Sequence, residues 1–232
     1  MMKSIKTILR GHVKDAVYAA NDGAVTTFAV VAGVVGASLG KPELLILGFA
    51  SLFADGFSMA TGNFLGTRSE SDQYVHEKEA MKKEFSGDGR LAKEDAGKFL
   101  KERGFSDQDA EQLSAVMVRN KPFFLDIMIS HRLGISDSNT KDALRSAVIT
   151  FLSFLFAGII PLLPYIFLSS QDTSHNFVWA CVFTGVALFG IGALRTLYSD
   201  KKWWSGGFEM LLVGGVAAII AYAAGYAIQG IV

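Results

Sequence analysis

Leu44-Leu45-Ile46-Leu47-Gly48-Phe49-Ala50-Ser51-Leu52-Phe53-Ala54-Asp55-Gly56-Phe57-Ser58-Met59-Ala60 lies in a run, Pro42 to Glu84, that turns from apolar to charged without a break. Its first part is apolar enough to sit in lipid, and beyond Arg68 the same helix continues through Glu70, Asp72, Glu77, Glu79 and Glu84 into water. The run therefore reads as one long helix leaving a membrane. Asp55 is the exception in its apolar half. A carboxylate at that depth costs roughly 2.5 to 3.5 kcal/mol on insertion scales, so it should face protein or a wet cavity. Ser51, Asp55 and Met59 are spaced i, i+4, i+8 and place an oxygen, a carboxylate and a thioether on one stripe.

Working outward, the whole chain reads as all-α. It is expected to be an integral membrane protein with five transmembrane helices and a cytoplasmic helical domain between spans two and three. Half of its residues are hydrophobic and the formal net charge is zero, which argues against a nucleic-acid partner. The charge is segregated: 15 of the 22 acidic residues lie between Arg68 and Asp142. The single cysteine, Cys181, excludes an intramolecular disulfide and a cysteine metal cluster.

Residues 1–68 are expected to hold an amphipathic N-terminal arm (residues 3–14) and spans one and two. Residues 69–140 form the helical insert, and 141–232 hold spans three to five. Span one runs from about Asp15 to Leu39, with Asp22 starting its apolar stretch near the interface. Gly33, Gly36 and Gly40 make a small-residue face, including Gly36-x3-Gly40, and Gly62-x3-Gly66 is a second such site. Lys41-Pro42 is expected to make the return. In the insert, Ser86 to Gly89 breaks the first helix, Gly104 stops a second, Ser106 caps a third, and Pro122 and Gly134 bound a fourth. Pro161 and Pro164 should kink span three or end it in an irregular segment. Spans four and five follow at about Phe177 to Leu197 and Phe208 to Ile231, joined by a loop with interfacial Trp203 and Trp204. The N-terminal arm and the loop with Arg195, Lys201 and Lys202 are basic, whereas Ser169 to Asn176 has no Lys or Arg. The positive-inside rule then places the N-terminus and the insert in the cytoplasm and the C-terminus outside. The short arm before span one favours a prokaryotic plasma membrane over a vacuole.

Two polar sets stand out. Asp22 in span one and Asp55 with Met59 in span two can meet across a helix interface, assisted by Thr26, Asn21 and Ser51. Two carboxylates and a thioether suit Fe2+ or Mn2+ better than Mg2+, and the same carboxylates can carry protons. The alternatives are Asp22 at the headgroups and Asp55 in a structural hydrogen bond. In the insert, Glu70, Glu77 and Glu84 fall on one stripe, with Met117, Asp126, Met128 and His131 available from later helices to hold a divalent cation. Interleaved lysines at 78, 82, 83, 93 and 98 equally describe an ordinary solvated surface. No nucleotide loop, hydrolase triad or zinc motif is present, so transport is favoured over enzymatic chemistry.

The phrases Asn21-Asp22-Gly23-Ala24-Val25-Thr26-Thr27-Phe28-Ala29-Val30-Val31-Ala32-Gly33, Ser58-Met59-Ala60 leading to Ser69-Glu70-Ser71-Asp72, Ile160-Pro161-Leu162-Leu163-Pro164-Tyr165, and Trp203-Trp204-Ser205-Gly206 with Phe208-Glu209-Met210-Leu211-Leu212 resemble the vacuolar iron transporter family. The resemblance implies a five-span homodimer that exports Fe2+, and often Mn2+, from the cytoplasm in exchange for protons. The metal is then substrate, with no tightly bound cofactor. The resemblance also implies a metal-gathering cytoplasmic domain and an ion path between subunits. It places the family's span-one aspartate on Asp22 and its span-two methionine on Met59. The family's membrane glutamate falls on Ser51, and Asp55, one turn on, is our candidate for the missing carboxylate. In the insert, Glu84 and Met128 match metal-binding positions and Glu94 or Asp95 another. Met81, Ala92, Ile129 and Arg132 stand where the family has acidic or sulfur residues. An arginine there opposes cation binding, so the metal store is expected to be weakened or relocated to Glu77, Glu79 and His131. The competing expectation is a non-transporting membrane protein whose cytoplasmic domain docks a partner or senses metal.

Overall fold

A computed structural model describes residues 2–85, 89–134, 140–168, 173–196 and 202–231. Among these residues every regular element is helical. Helix α1 covers Met2–Gly36, α2 Lys41–Glu84, α3 Gly89–Glu102, α4 Asp107–Arg119, α5 Lys121–Leu133 and α6 Thr140–Gly158. A 3-10 turn at Ile160–Leu162 leads into the short α7, Leu163–Phe167, followed by α8, Thr173–Thr196, and α9, Trp203–Gln229. Among the described residues five stretches are long and apolar enough to cross a bilayer: within α1, within α2, α6 through α7, within α8, and α9. The chain divides into two compact units, residues 1–63 with 144–232, and residues 64–143. Helix α2 contributes to both.

Several boundaries depart from expectation. The N-terminal arm is not a separate helix, because α1 runs unbroken through it. Asp22 therefore sits inside a helix rather than at its start. The return between α1 and α2 is made before Lys41-Pro42, with Ser38 at a φ of 55°. Lys41 already belongs to α2, where Pro at the second position needs no hydrogen-bond donor. The Lys41 ammonium donates to Leu168 O at 3.1 Å. Trp203 and Trp204 open α9 instead of lying in a loop. Pro161 and Pro164 do interrupt span three, through the 3-10 turn. The residues 86–88, 169–172 and 197–201, on which parts of the expected loops fall, lie outside the described residues.

The first unit is closed by glycines. A Cβ on Gly36 would strike the Tyr222 backbone and one on Gly225 the Gly33 backbone, so α1 and α9 touch main chain to main chain. Gly192 of α8 and Gly206 of α9 do the same. The expected face at Gly33 and Gly36 is thus used, but a Cβ on Gly40 would first meet Glu43 and Pro42 of its own turn. Among the described residues nothing comes within 4 Å of a Cβ placed on Gly62 or Gly66, so that motif packs no described helix. Phe28, Val31, Leu44, Leu52, Phe154, Leu162 and Tyr165 fill the centre.

The second unit is built on α3, α4 and α5 with residues 64–84 of α2. Ser106 Oγ accepts from Asp109 N and caps α4. Gly104 (φ 90°) and Gly134 (φ 67°) end α3 and α5 in the left-handed region. Tyr74, Met81, Ala92, Ala96, Phe124, Leu125, Met128 and Ile129 form its core.

Candidate metal-ion site and its surroundings

The intramembrane carboxylates are set by two glycines that follow them. Gly23, next to Asp22, lies so close to the Phe154 main chain that any Cβ would overlap it. Gly56, next to Asp55, packs on the rings of Phe154 and Phe151. Phe154 is fully buried. Two helices thus lean on one residue of α6, each with an aspartate immediately before the point of contact. Phe154 gathers to one point of α6 the two backbones that carry Asp22 and Asp55. A cation held between two such carboxylates would offset their like charge.

Their partners differ. Asp22 is half-buried; the Thr26 hydroxyl donates to the Asp22 main-chain O at 2.8 Å, so Thr26 turns back on its own helix. Asn21 Oδ1 and Thr27 Oγ1, on either side of this turn, are buried oxygens with no hydrogen-bond partner among the described residues. Asp55 is exposed on the surface of the single chain, and Ser51 Oγ donates to its Oδ2 at 2.5 Å. Met59 is partly buried and packs against the central apolar cluster. The stripe Ser51, Asp55, Met59 is therefore half polar contact and half core.

A polar cluster that the sequence reading passed over ties α1, α2 and α6 together. Asn63 Nδ2 donates to Ser146 Oγ at 3.0 Å and to Thr150 Oγ1 at 2.7 Å. Ser146 Oγ donates in turn to Asp15 Oδ2, which also lies 3.4 Å from His12 Nδ1. Ser146 and Thr150 are both buried. The available signal was the i, i+4 pair Ser146 and Thr150 in an apolar helix, facing a lone Asn in another. Glu209 pairs with Arg195 at 2.6 Å.

In the second unit the candidate metal ligands are dispersed. Arg132 Nη2 lies 2.6 Å from Asp95 Oδ2, and its Nη1 lies 3.7 Å from Glu77 and 3.9 Å from Glu84. A guanidinium already neutralises the carboxylates that α2 and α3 turn toward α5. Glu79 pairs with Lys82 at 2.6 Å, and His131 Nε2 sits 3.2 Å from Glu102 with its ring against Phe99. Glu94 is exposed among Arg90, Lys93 and Lys98. Met128 is buried in the apolar core beside Ile129 and Met81, as a filler rather than a donor. Asp126 accepts from the Tyr74 hydroxyl at 2.5 Å and from Lys78 at 3.0 Å. These two donors hold its carboxyl below the usual range. Among the described residues no three His, Cys, Asp or Glu side chains gather to hold a metal ion. The relocated store at Glu77, Glu79 and His131 is not assembled: each of the three has a different partner. Among the described residues of this unit, no set is arranged to fit a resident metal.

Comparison with known proteins agrees with the membrane architecture. The VIT family profile matches residues 13–226. The chain is 27% identical to "Vacuolar iron transporter" of Plasmodium berghei, over 92% of this chain and 81% of that protein. It is 28% identical to "Vacuolar iron transporter 1" of Oryza sativa, over 94% and 85%. It is 32% identical to "Protein CCC1" of Saccharomyces cerevisiae, over 90% and 67%. With five membrane-length helices and a family match that spans nearly its whole length, this chain belongs to the VIT family, the family of the vacuolar iron transporters.

Proposed function

We propose that the chain works as a homodimer that exports Fe2+, and also Mn2+, from the cytoplasm in exchange for protons. One observation carries the reading: two aspartates on different spans, Asp22 and Asp55, each followed by a glycine that packs on the same residue, Phe154. Like charges at membrane depth are unfavourable unless a cation or a proton joins them, so the same pair alternates between metal and protons. Met59 adds a soft donor one turn from Asp55, which favours Fe2+ and Mn2+ over Mg2+.

The position of Asp55 supports the dimer. It is exposed, and its neighbours Ile46, Leu47, Phe53 and Phe57 are exposed with it. A carboxylate turned to lipid is costly, whereas the same face on a second copy would enclose it. The distribution of Lys and Arg supports an N-terminus and a 64–143 unit in the cytoplasm. Family membership supports metal transport by a non-enzyme, since two of the three relatives above carry transporter names.

The test is Asp55→Asn in proteoliposomes with a pH gradient, reading metal and internal pH together. Metal-driven proton movement should fall to the level of empty liposomes while dimer mass stays unchanged; undiminished transport would refute the assignment. A second reading, a docking role for residues 64–143 without transport, is favoured by Arg132 among the carboxylates. A docking protein would give no metal-dependent proton flux in the native chain.

A further inference from the structure

Between α1, α8 and α9 a cavity of about 870 Å3 opens beside Lys14, Val13, Val17, Tyr18, Arg195 and Met210. Its walls are of two kinds. Val13, Val17 and Met210 are apolar. Lys14 and Arg195 are cationic, Lys14 is exposed, and among the described residues it makes no ion pair. Arg195 spends one nitrogen on Glu209 at 2.6 Å, which leaves a guanidinium fork with further donors and a net positive rim.

The depth of this rim is marked by its neighbours. Arg195 is one residue from the end of α8, and Lys202 caps α9. Trp203 and Trp204 stand exposed at the first turn of α9, with the Lys202 ammonium 5.7 Å from the Trp204 ring centre. Exposed tryptophans beside lysine and arginine at helix ends belong at the headgroup level of a bilayer. A cavity with cations at that level, Val13 beside them, and Val17 and Met210 further into their spans fits one chemistry, a phosphate on an acyl chain.

We propose that this cavity is a binding site for an anionic phospholipid, its phosphate between Lys14 and Arg195 and an acyl chain along Val13, Val17 and Met210. The inner wall reaches Asn21, the residue before Asp22. A bound phosphate would add negative charge near the carboxylate pair and draw cations toward it. That consequence rests on the transport reading above; the binding does not.

The full chain, purified in detergent, is mixed with phosphatidylglycerol and phosphatidylcholine of matched chains, and retained lipid is counted by native mass spectrometry. Phosphatidylglycerol should be retained preferentially, and Lys14→Glu should reduce that preference by about fivefold or more. Arg195→Gln combined with Glu209→Gln, which removes the cation without stranding a carboxylate, should reduce it likewise. Lys98→Glu, in the other unit, should leave it unchanged. Equal retention of both lipids, or a preference untouched by both cavity variants, overturns the proposal. Displacement of the lipid by excess inorganic phosphate also overturns it, since that outcome describes an ion site with no use for the apolar walls. Metal transport enters none of these readouts, so their failure leaves the transport reading standing.

Discussion

Replacing Arg132 with Met removes the cation on which Glu77, Glu84 and Asp95 converge, while keeping a side chain of similar length. The 2.6 Å contact to Asp95 is a charge-assisted hydrogen bond; the contacts at 3.7 and 3.9 Å are looser. All four groups keep partial solvent access, with Glu84 half exposed, so each contact is discounted for screening. Taking about 1 kcal/mol for the short contact, a few tenths for each long one and the released carboxylate repulsion in the same direction, the loss is roughly 2 kcal/mol. Local opening should then be about 30-fold more frequent. Hydrogen exchange on the full chain in nanodiscs, followed in peptides from 89–102 and 121–133, reads that change. Arg132→Lys should fall between, since it keeps the charge and loses the fork. The difference should shrink at 1 M salt, where the Debye length is about 3 Å. Mn2+ should leave exchange in the native segments unchanged, because a guanidinium already sits among the acids. Exchange unaffected by the substitution, or an effect undiminished by salt, would refute the reasoning.

Asp126 gives a pH test. The Tyr74 hydroxyl and then the Lys78 ammonium hold its folded pKa below the ordinary value, about 3.9 for an unperturbed aspartate. Its contribution is therefore complete above that value and is lost as pH falls through the lower folded one. Tyr74→Phe should flatten the acid-side loss of stability in melts followed by circular dichroism; an unchanged slope would count against the assigned cause. Gly225→Ala forces the α1 and α9 main chains apart and should cost about 1 to 3 kcal/mol, seen as early aggregation on heating in size-exclusion traces. Gly215→Ala, with open space around it, is the matched control and should behave like the native chain.

The helices, their caps and the five membrane-length stretches were readable along the chain because each obeys a local rule. Apolar length decides a span, Ser106 satisfies the free amides of its own first turn, and Gly104 and Gly134 accept a positive φ. Local rules also exposed Asp22 and Asp55 as anomalies, since a charge in an apolar run needs no partner to be noticed. What they could not supply was which faces meet. Gly33 finds Gly225, Asn63 finds Ser146, and Gly23 and Gly56 find Phe154; the spacing within one segment can mark a face for packing but does not name the partner, which lies far along the chain. Arg132 already stood in the sequence as an obstacle to a cation among the carboxylates of residues 64–143, but only the fold decides which of them, Glu77, Glu84 and Asp95, it reaches. A side chain's chemistry is written in its own residue, but its protonation, its pairing and its access to a cation depend on neighbours brought in by packing, and only the fold decides those.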